Sequence, residues 1–433
     1  SDGAPGVRSR YFIDMLPRII GRFPTLTASA LYLLASVLAF FPLWTGKVLL
    51  PELSDQNNGY PFRNFAAQYI ERFGDVPGWY PYLFGGMPFA ANTAHGDTFF
   101  PTAILRLILP VDVGMAVGFF LFTTLAGIFA FIFLRGIGLS WGAAFVGGAG
   151  YMFTGQVISM ASPGHDGKLF VSALLPLALF FLYRATANRD WRNYLWFGVT
   201  VGFSLLTPHF QMTYYLLMAA GFFWLFMVFF SDQRAGADPW WRSAVLFAGA
   251  LLVGFGIAAI QVIPFLEYMP FSPRGAAGGS STGYAYATGW SMPPEELLNT
   301  VWPAFSGMLL DYWGRNQFKL HSEYIGAAVV LLAVLSFRLI PYRRMAWFFV
   351  FLAIYATVFA FGGYTPFYRI PYTILPLIKS TRAVSMIFTL ASFSVCVLAA
   401  MGTEWLLARA PVLKGGGKRV DSLRIPFLQR AAG

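Results

Sequence analysis

Apolar runs about 20 residues long recur between residues 26 and 407, separated by short polar segments. As a helix, a run of that length crosses the ~30 Å hydrocarbon core of a bilayer. The runs are continuous and do not alternate, which excludes a β-barrel and predicts an all-α polytopic membrane protein. Ten spans are expected, at 26–48, 112–134, 141–160, 169–187, 192–207, 210–230, 243–265, 324–340, 345–362 and 383–407. The stretch 99–110 reads as a re-entrant or interfacial helix ahead of the second span. Gly142, Gly147, Gly148 and Gly150 in the third span are small residues that let helices approach closely, a packing feature. No internal repeat is visible, so the inverted-repeat plan of many transporters gains no support.

Composition points the same way: 11% of the residues are charged, against about 25% in soluble domains. The single cysteine, Cys396, lies in an apolar run and excludes an intrachain disulfide. Charge supplies orientation. With the N-terminus inside, the inner segments hold 19 of the 30 basic residues but 7 of the 19 acidic ones, as the positive-inside rule requires. The lead-in, 1–25, is basic and has no signal-peptide core, so it is expected to be cytoplasmic. It is followed by a transmembrane domain at 26–410 and a basic cytoplasmic tail at 411–433. The net charge of +11 is spread over every inner loop, so it implies orientation and not nucleic-acid binding.

Chemistry-bearing residues collect on the other side. All four histidines (His95, His165, His209, His321) fall outside or at outer span ends, together with Asp55, Asp97, Asp166 and Glu323. The two long loops, about 49–111 and 266–323, are both outer. In the first, Phe62, Phe65, Tyr69 and Phe73 recur at helical spacing, which predicts a helix over 60–73 lying on the membrane surface with its aromatic face down. Asp55, just past the first span, reads either as a helix cap or as a general base or cation ligand at the lip of a membrane cavity.

Four further groups have two readings each. In "ASPGHDGKLF", 161–170, His165, Asp166 and Lys168 lie within four residues. Lys168 suits a phosphate as a point charge, or it snorkels from a solvated loop. Zinc is the weaker option, because no second close-spaced ligand pair exists. His209 and Gln211 sit at a proline-broken junction and either line a cavity or cap a plain turn. Lys379 and Arg382 stand at an outer boundary against the charge bias, suiting a lipid phosphate or snorkelling. His321 and Glu323 stand at the entry to the eighth span and read either as part of an outer site or as plain boundary residues. Span centres nearly free of ionisable groups argue against a transporter.

"LSDQNNGYPFRNFAAQY" after the first span, then "PGWYPYLFGGMPFAANTAHGDTFFP", and later "PGHDGKLFVSALLPL", resemble the YfhO-type bacterial membrane proteins of the GT-C superfamily of integral-membrane glycosyltransferases. The likeness covers about residues 1–220. It implies a bacterial cytoplasmic (inner) membrane protein whose first outer loop carries a catalytic acid, at the position of Asp55. It also implies a polyprenyl-phosphate sugar as donor, drawn from the membrane lipid, and an extracytoplasmic glycan or lipid as acceptor. Lys168, Lys379 and Arg382 are the expected contacts of the donor phosphate, with His165, Asp166, His209, Gln211, His321 and Glu323 lining the cavity. No cofactor is fixed; a divalent cation is the one candidate. The alternative is a non-catalytic subunit or scaffold on the same fold, assembled with partner subunits.

Overall fold

A computed structural model describes residues 21–47, 55–91, 99, 101–207, 209–232, 239–272, 283–308, 311–316 and 319–409. His95, Asp97, most of the lead-in and the basic tail lie outside the described residues. The described chain is almost wholly helical, with one two-stranded hairpin, β1 (Trp79–Tyr80) paired antiparallel to β2 (Met87–Pro88). Its main helices are α1 (Pro24–Ala39), α2 (Asp55–Phe73), α3 (Val111–Gly136), α4 (Trp141–Met152), α5 (Asp166–Ala187) and α6 (Trp191–Leu205). They continue as α7 (Phe210–Phe229), α8 (Trp240–Tyr268), α9 (Ala327–Val334), α10 (Arg343–Ala360) and α11 (Phe388–Leu407).

Helices form at every predicted span, but among the described residues six helical segments are long and apolar enough to cross a membrane. These are Val111–Gly136, Asp166–Ala187, Phe210–Phe229, Trp240–Phe271, Ile340–Ala360 and Val384–Leu407. The first, third, fifth and eighth predicted spans are shorter. The third ends at Met152 and resumes only as the short helix Gly155–Ile158. The cause is tertiary: the Gly155 N–H donates to the Tyr324 carbonyl at 2.6 Å, and a Cβ on Gly155 would meet Ser322 O at 2.5 Å. A second loop docks into the break. The stretch 99–110 likewise forms no membrane-length helix; its two short turns are Pro101–Ala103 and Leu105–Ile108, with Arg106 buried on Thr102 Oγ1 at 3.1 Å.

Two buried helices organise the bundle. α3 packs on α1, α4 and α5; α11 packs on α4, α9 and α10. α4 fits between them because it is glycine-rich. A Cβ on Gly147 would lie 2.6 Å from Leu134 Cδ1 and 2.7 Å from the Ala400 Cβ, so only glycine lets α4 touch both neighbours. α5 carries α6 and α7, and α8 leans on α6 with most of its apolar surface uncovered.

The bundle has two chemically different ends. One holds Glu404 accepting from the Ser140 N–H at 2.8 Å, Arg344 paired with Asp232 at 2.7 Å, and Arg338 and Arg409 over Trp405. The starts of α5, α7 and the 384–407 segment meet the loop elements at the opposite end.

At that opposite end the surface helix differs from expectation. α2 starts at Asp55, not near residue 60, and the first half of its aromatic stripe, Phe62 and Phe65, packs on its own loop, whereas Phe73 stays exposed. Phe62 lies 4.4 Å from Tyr80, and Phe65 lies 5.1 Å from Tyr80 and 5.7 Å from Phe89, ring to ring. These contacts form a small separate core.

Candidate functional site

The site is assembled where α2, the start of α5 and the segment 319–325 meet. The link before α5 turns at Gly164, whose φ of +81° a side chain would strain. That turn aims the Pro163 carbonyl at α2, where it accepts the Asp55 N–H at 2.9 Å. Eight residues along α2, Arg63 pairs with Asp166 at 2.8 Å, both side chains 8% exposed. α2 is thus tied to the start of α5 at two points, and Asp55 is set beside His165.

The third segment is held more firmly still. Lys319, Glu296 and Glu323 are buried together, with the Lys319 ammonium donating to both carboxylates. Tyr312 Oη donates to Glu296, and Asn299 Nδ2 donates to Glu323 at 3.3 Å. The Ser322 N–H donates to Ser159 Oγ at 3.1 Å. Lying between Lys319 and Glu323, His321 is delivered to His165 by these contacts. Burial raises the Glu323 carboxyl above its usual range, against the pull of Lys319.

The centre is a line of titratable groups. His165 Nε2 is 2.8 Å from Asp55 Oδ2, and His165 Nδ1 is 2.7 Å from His321 Nε2. Lys168 Nζ is 2.9 Å from His165 Nδ1 and 3.4 Å from His321 Nε2. The Asp55 carboxylate only accepts, so His165 Nε2 carries the proton and donates to it, and Nδ1 of the neutral ring is the acceptor. His321 then donates from Nε2, and its buried Nδ1 has no hydrogen-bond partner. Burial first, and then the Lys168 ammonium, holds the His165 imidazole well below its usual range. His321 is depressed in the same way, by burial and then by Lys168, His165, Lys319 and His209. Both rings are therefore neutral near pH 7. The Asp55 side chain, by contrast, is 65% exposed at the rim.

Arg382 completes the charge pattern. Its guanidinium lies 4.3 Å from the Trp290 ring and 5.6 Å from Tyr286. Gln211 fixes its backbone, donating to the Arg382 carbonyl at 2.5 Å and accepting the Arg382 N–H at 3.3 Å. Lys168 is buried, and the Asp55 and Arg382 charges both reach it. Among the described residues neither Lys168 nor Arg382 has a carboxylate salt-bridge partner.

The expected residues therefore divide. Asp55, His165, Lys168 and His321 come together, with Arg382 and His209 within electrostatic reach. Gln211 positions Arg382. Asp166 and Glu323 are each held in a buried ion pair, with Arg63 and with Lys319. Lys379 stands apart, exposed, over the Tyr372 ring at 5.8 Å. Arg63, Lys319, Glu296 and Trp290 were not foreseen. The four-residue spacing of Lys319 and Glu323 was the one available signal. Among the described residues no group of three His, Cys, Asp or Glu side chains could hold a metal ion. The reason is geometric: each His165 nitrogen is turned to a different neighbour, so Asp55, His165 and His321 lie in line and do not converge.

The helix lengths and their apolar composition define a multi-pass helical membrane protein. Compared with known proteins, the chain matches no family model and no curated protein.

Proposed function

We propose that the protein is a membrane glycosyltransferase of the GT-C type, moving a sugar from a polyprenyl-phosphate donor to an acceptor on the extracytoplasmic side. The observation that carries this reading is the exposed carboxylate of Asp55 within charge reach of the basic side chain Lys168, which Arg382 also reaches; among the described residues neither Lys168 nor Arg382 has a carboxylate salt-bridge partner. A lipid-anchored donor is held at headgroup height, where the ends of α2 and α5 meet.

In the reaction, Asp55 takes the proton of the acceptor hydroxyl as its oxygen attacks the anomeric carbon. The bond from that carbon to the phosphate oxygen breaks, and the electron pair leaves with the polyprenyl phosphate. The leaving group gains one negative charge, and Lys168 and Arg382 meet it in a poorly solvated setting, where fixed charges stabilise most. His165, donating to Asp55 Oδ2, orients the carboxylate so that its other oxygen faces the acceptor. The resemblance of the outer-loop sequence to YfhO-type proteins and the positive-inside charge bias support the same assignment and an extracytoplasmic position for the cluster.

The test is release of polyprenyl phosphate from a panel of polyprenyl-phosphate sugars by purified protein in lipid nanodiscs. Sugar-dependent release supports the reading. A folded protein that releases nothing from any donor, with acceptors of both glycan and lipid type supplied, contradicts it.

A further inference from the structure

At the end of the bundle away from Asp55, α7 and α10 leave a groove of about 650 Å³ between them. Its floor is the stacked pair Phe226 and Phe348, 4.8 Å apart, and Phe222 meets Phe351 across it at 5.5 Å. Its rim is exposed: Phe229 is 50% accessible, Phe230 66% and Trp347 54%. The one charged residue lining it is Arg344, which donates to the Phe230 carbonyl at 3.3 Å and pairs with Asp232. Beside it Arg343 is exposed and has no ion-pair partner among the described residues.

We propose that this groove holds an acyl chain of an anionic phospholipid, with the lipid phosphate against Arg343 and Arg344. Three observations select that occupant. The lining is Phe, Leu and Trp apart from the arginine, so it suits hydrocarbon. It contains no glycine, alanine, serine or threonine, the small residues that let another helix approach closely, so a flexible chain fits where a helix does not. The cations stand at one end only, next to Trp347, which is where a headgroup lies when its chain runs along the helices. Arg343 and Arg344 outweigh Asp232 by one positive charge, matching a single phosphodiester. The groove lies at the other end of the molecule from the Asp55 cluster, and the inference does not depend on the proposed reaction.

Native mass spectrometry of the purified protein, titrated in non-ionic detergent with phosphatidylglycerol or phosphatidylcholine, tests it. Wild type is expected to retain phosphatidylglycerol at roughly 25-fold lower concentration than phosphatidylcholine. Arg343→Gln with Arg344→Gln removes that preference, at roughly fivefold per arginine. The Arg344–Asp232 pair is exposed and of little worth to stability, so the fold survives its loss. Leu225→Trp, which fills the groove, lowers retention of both lipids, and unchanged thermal unfolding confirms that the variant is folded. Equal retention of the two lipids by wild type, or an unchanged preference in the double arginine variant, overturns the proposal. A polypeptide that copurifies with wild type and is lost from Leu225→Trp would hand the groove to a protein partner and also overturn it.

Discussion

His165 Nε2 lies 2.8 Å from Asp55 Oδ2, although 110 residues of chain separate them. The contact joins a buried ring to an exposed carboxylate, so it fixes the direction of Asp55 without removing it from solvent. Replacing His165 by Asn should free the carboxylate to rotate. The expected result is a fall in kcat on the order of 10²-fold with little change in KM, the mark of lost orientation. Steady-state kinetics on the two proteins check this.

The two cations should act on the leaving group. Lys168→Met and Arg382→Gln are each expected to lower kcat by about 10²–10³-fold, as loss of one fixed donor to a developing anion does elsewhere. Lys379→Met should leave turnover near wild type, because the Lys379 ammonium is exposed and lies over the Tyr372 ring. A collapse in the Lys379 variant would relocate the phosphate.

Stability should fall with acid. The His165 and His321 rings are held well below the usual histidine range in the folded protein, whereas in the unfolded chain they titrate near about 6.5. Below that pH the unfolded state binds more protons than the folded one, so stability drops as pH falls from about 6.5 toward the folded values. It is insensitive to these groups above. The slope reaches at most about 1.4 kcal/mol per pH unit per ring. Urea unfolding in detergent from pH 8 to pH 5 should show this slope, and the double variant His165→Asn/His321→Asn should flatten it.

The Arg63–Asp166 pair holds α2 to α5. Asp166→Asn removes the carboxylate that Arg63 meets at 2.8 Å inside the protein and should cost about 3–5 kcal/mol. Arg63→Met combined with Asp166→Leu should recover much of that loss, because both charges leave together. If the single variant unfolds like wild type, the pair does not anchor the surface helix.

Much of this fold was legible in the chain. The membrane-length helices follow from apolar runs such as 166–187 and 384–407, which need no tertiary information. The break in the third span was hidden, because it depends on Gly155 meeting Tyr324 and Ser322 from 167 or more residues away. The site was half legible. Placing Asp55, His165 and His321 on one face followed from topology, but their contact depends on which loop docks into which helix start. Arg63 gave no sign, since it lies on a helix whose aromatic stripe pointed elsewhere, and α2 uses Phe62 and Phe65 of that stripe on its own hairpin. Lys319 was masked by position, because a lysine in a polar loop normally faces water and this one is buried between two glutamates.

The central claim is that Asp55 performs proton chemistry on a sugar acceptor beside a lipid phosphate. The most direct measurement is single-turnover release of polyprenyl phosphate by wild type beside Asp55→Asn, on whichever donor of the panel wild type turns over. The Asp55 side chain is exposed, so the variant should fold as wild type does. The account predicts a rate loss of about 10²–10⁴-fold in the variant with donor binding retained. Equal release by both proteins would contradict it and remove Asp55 from the chemistry.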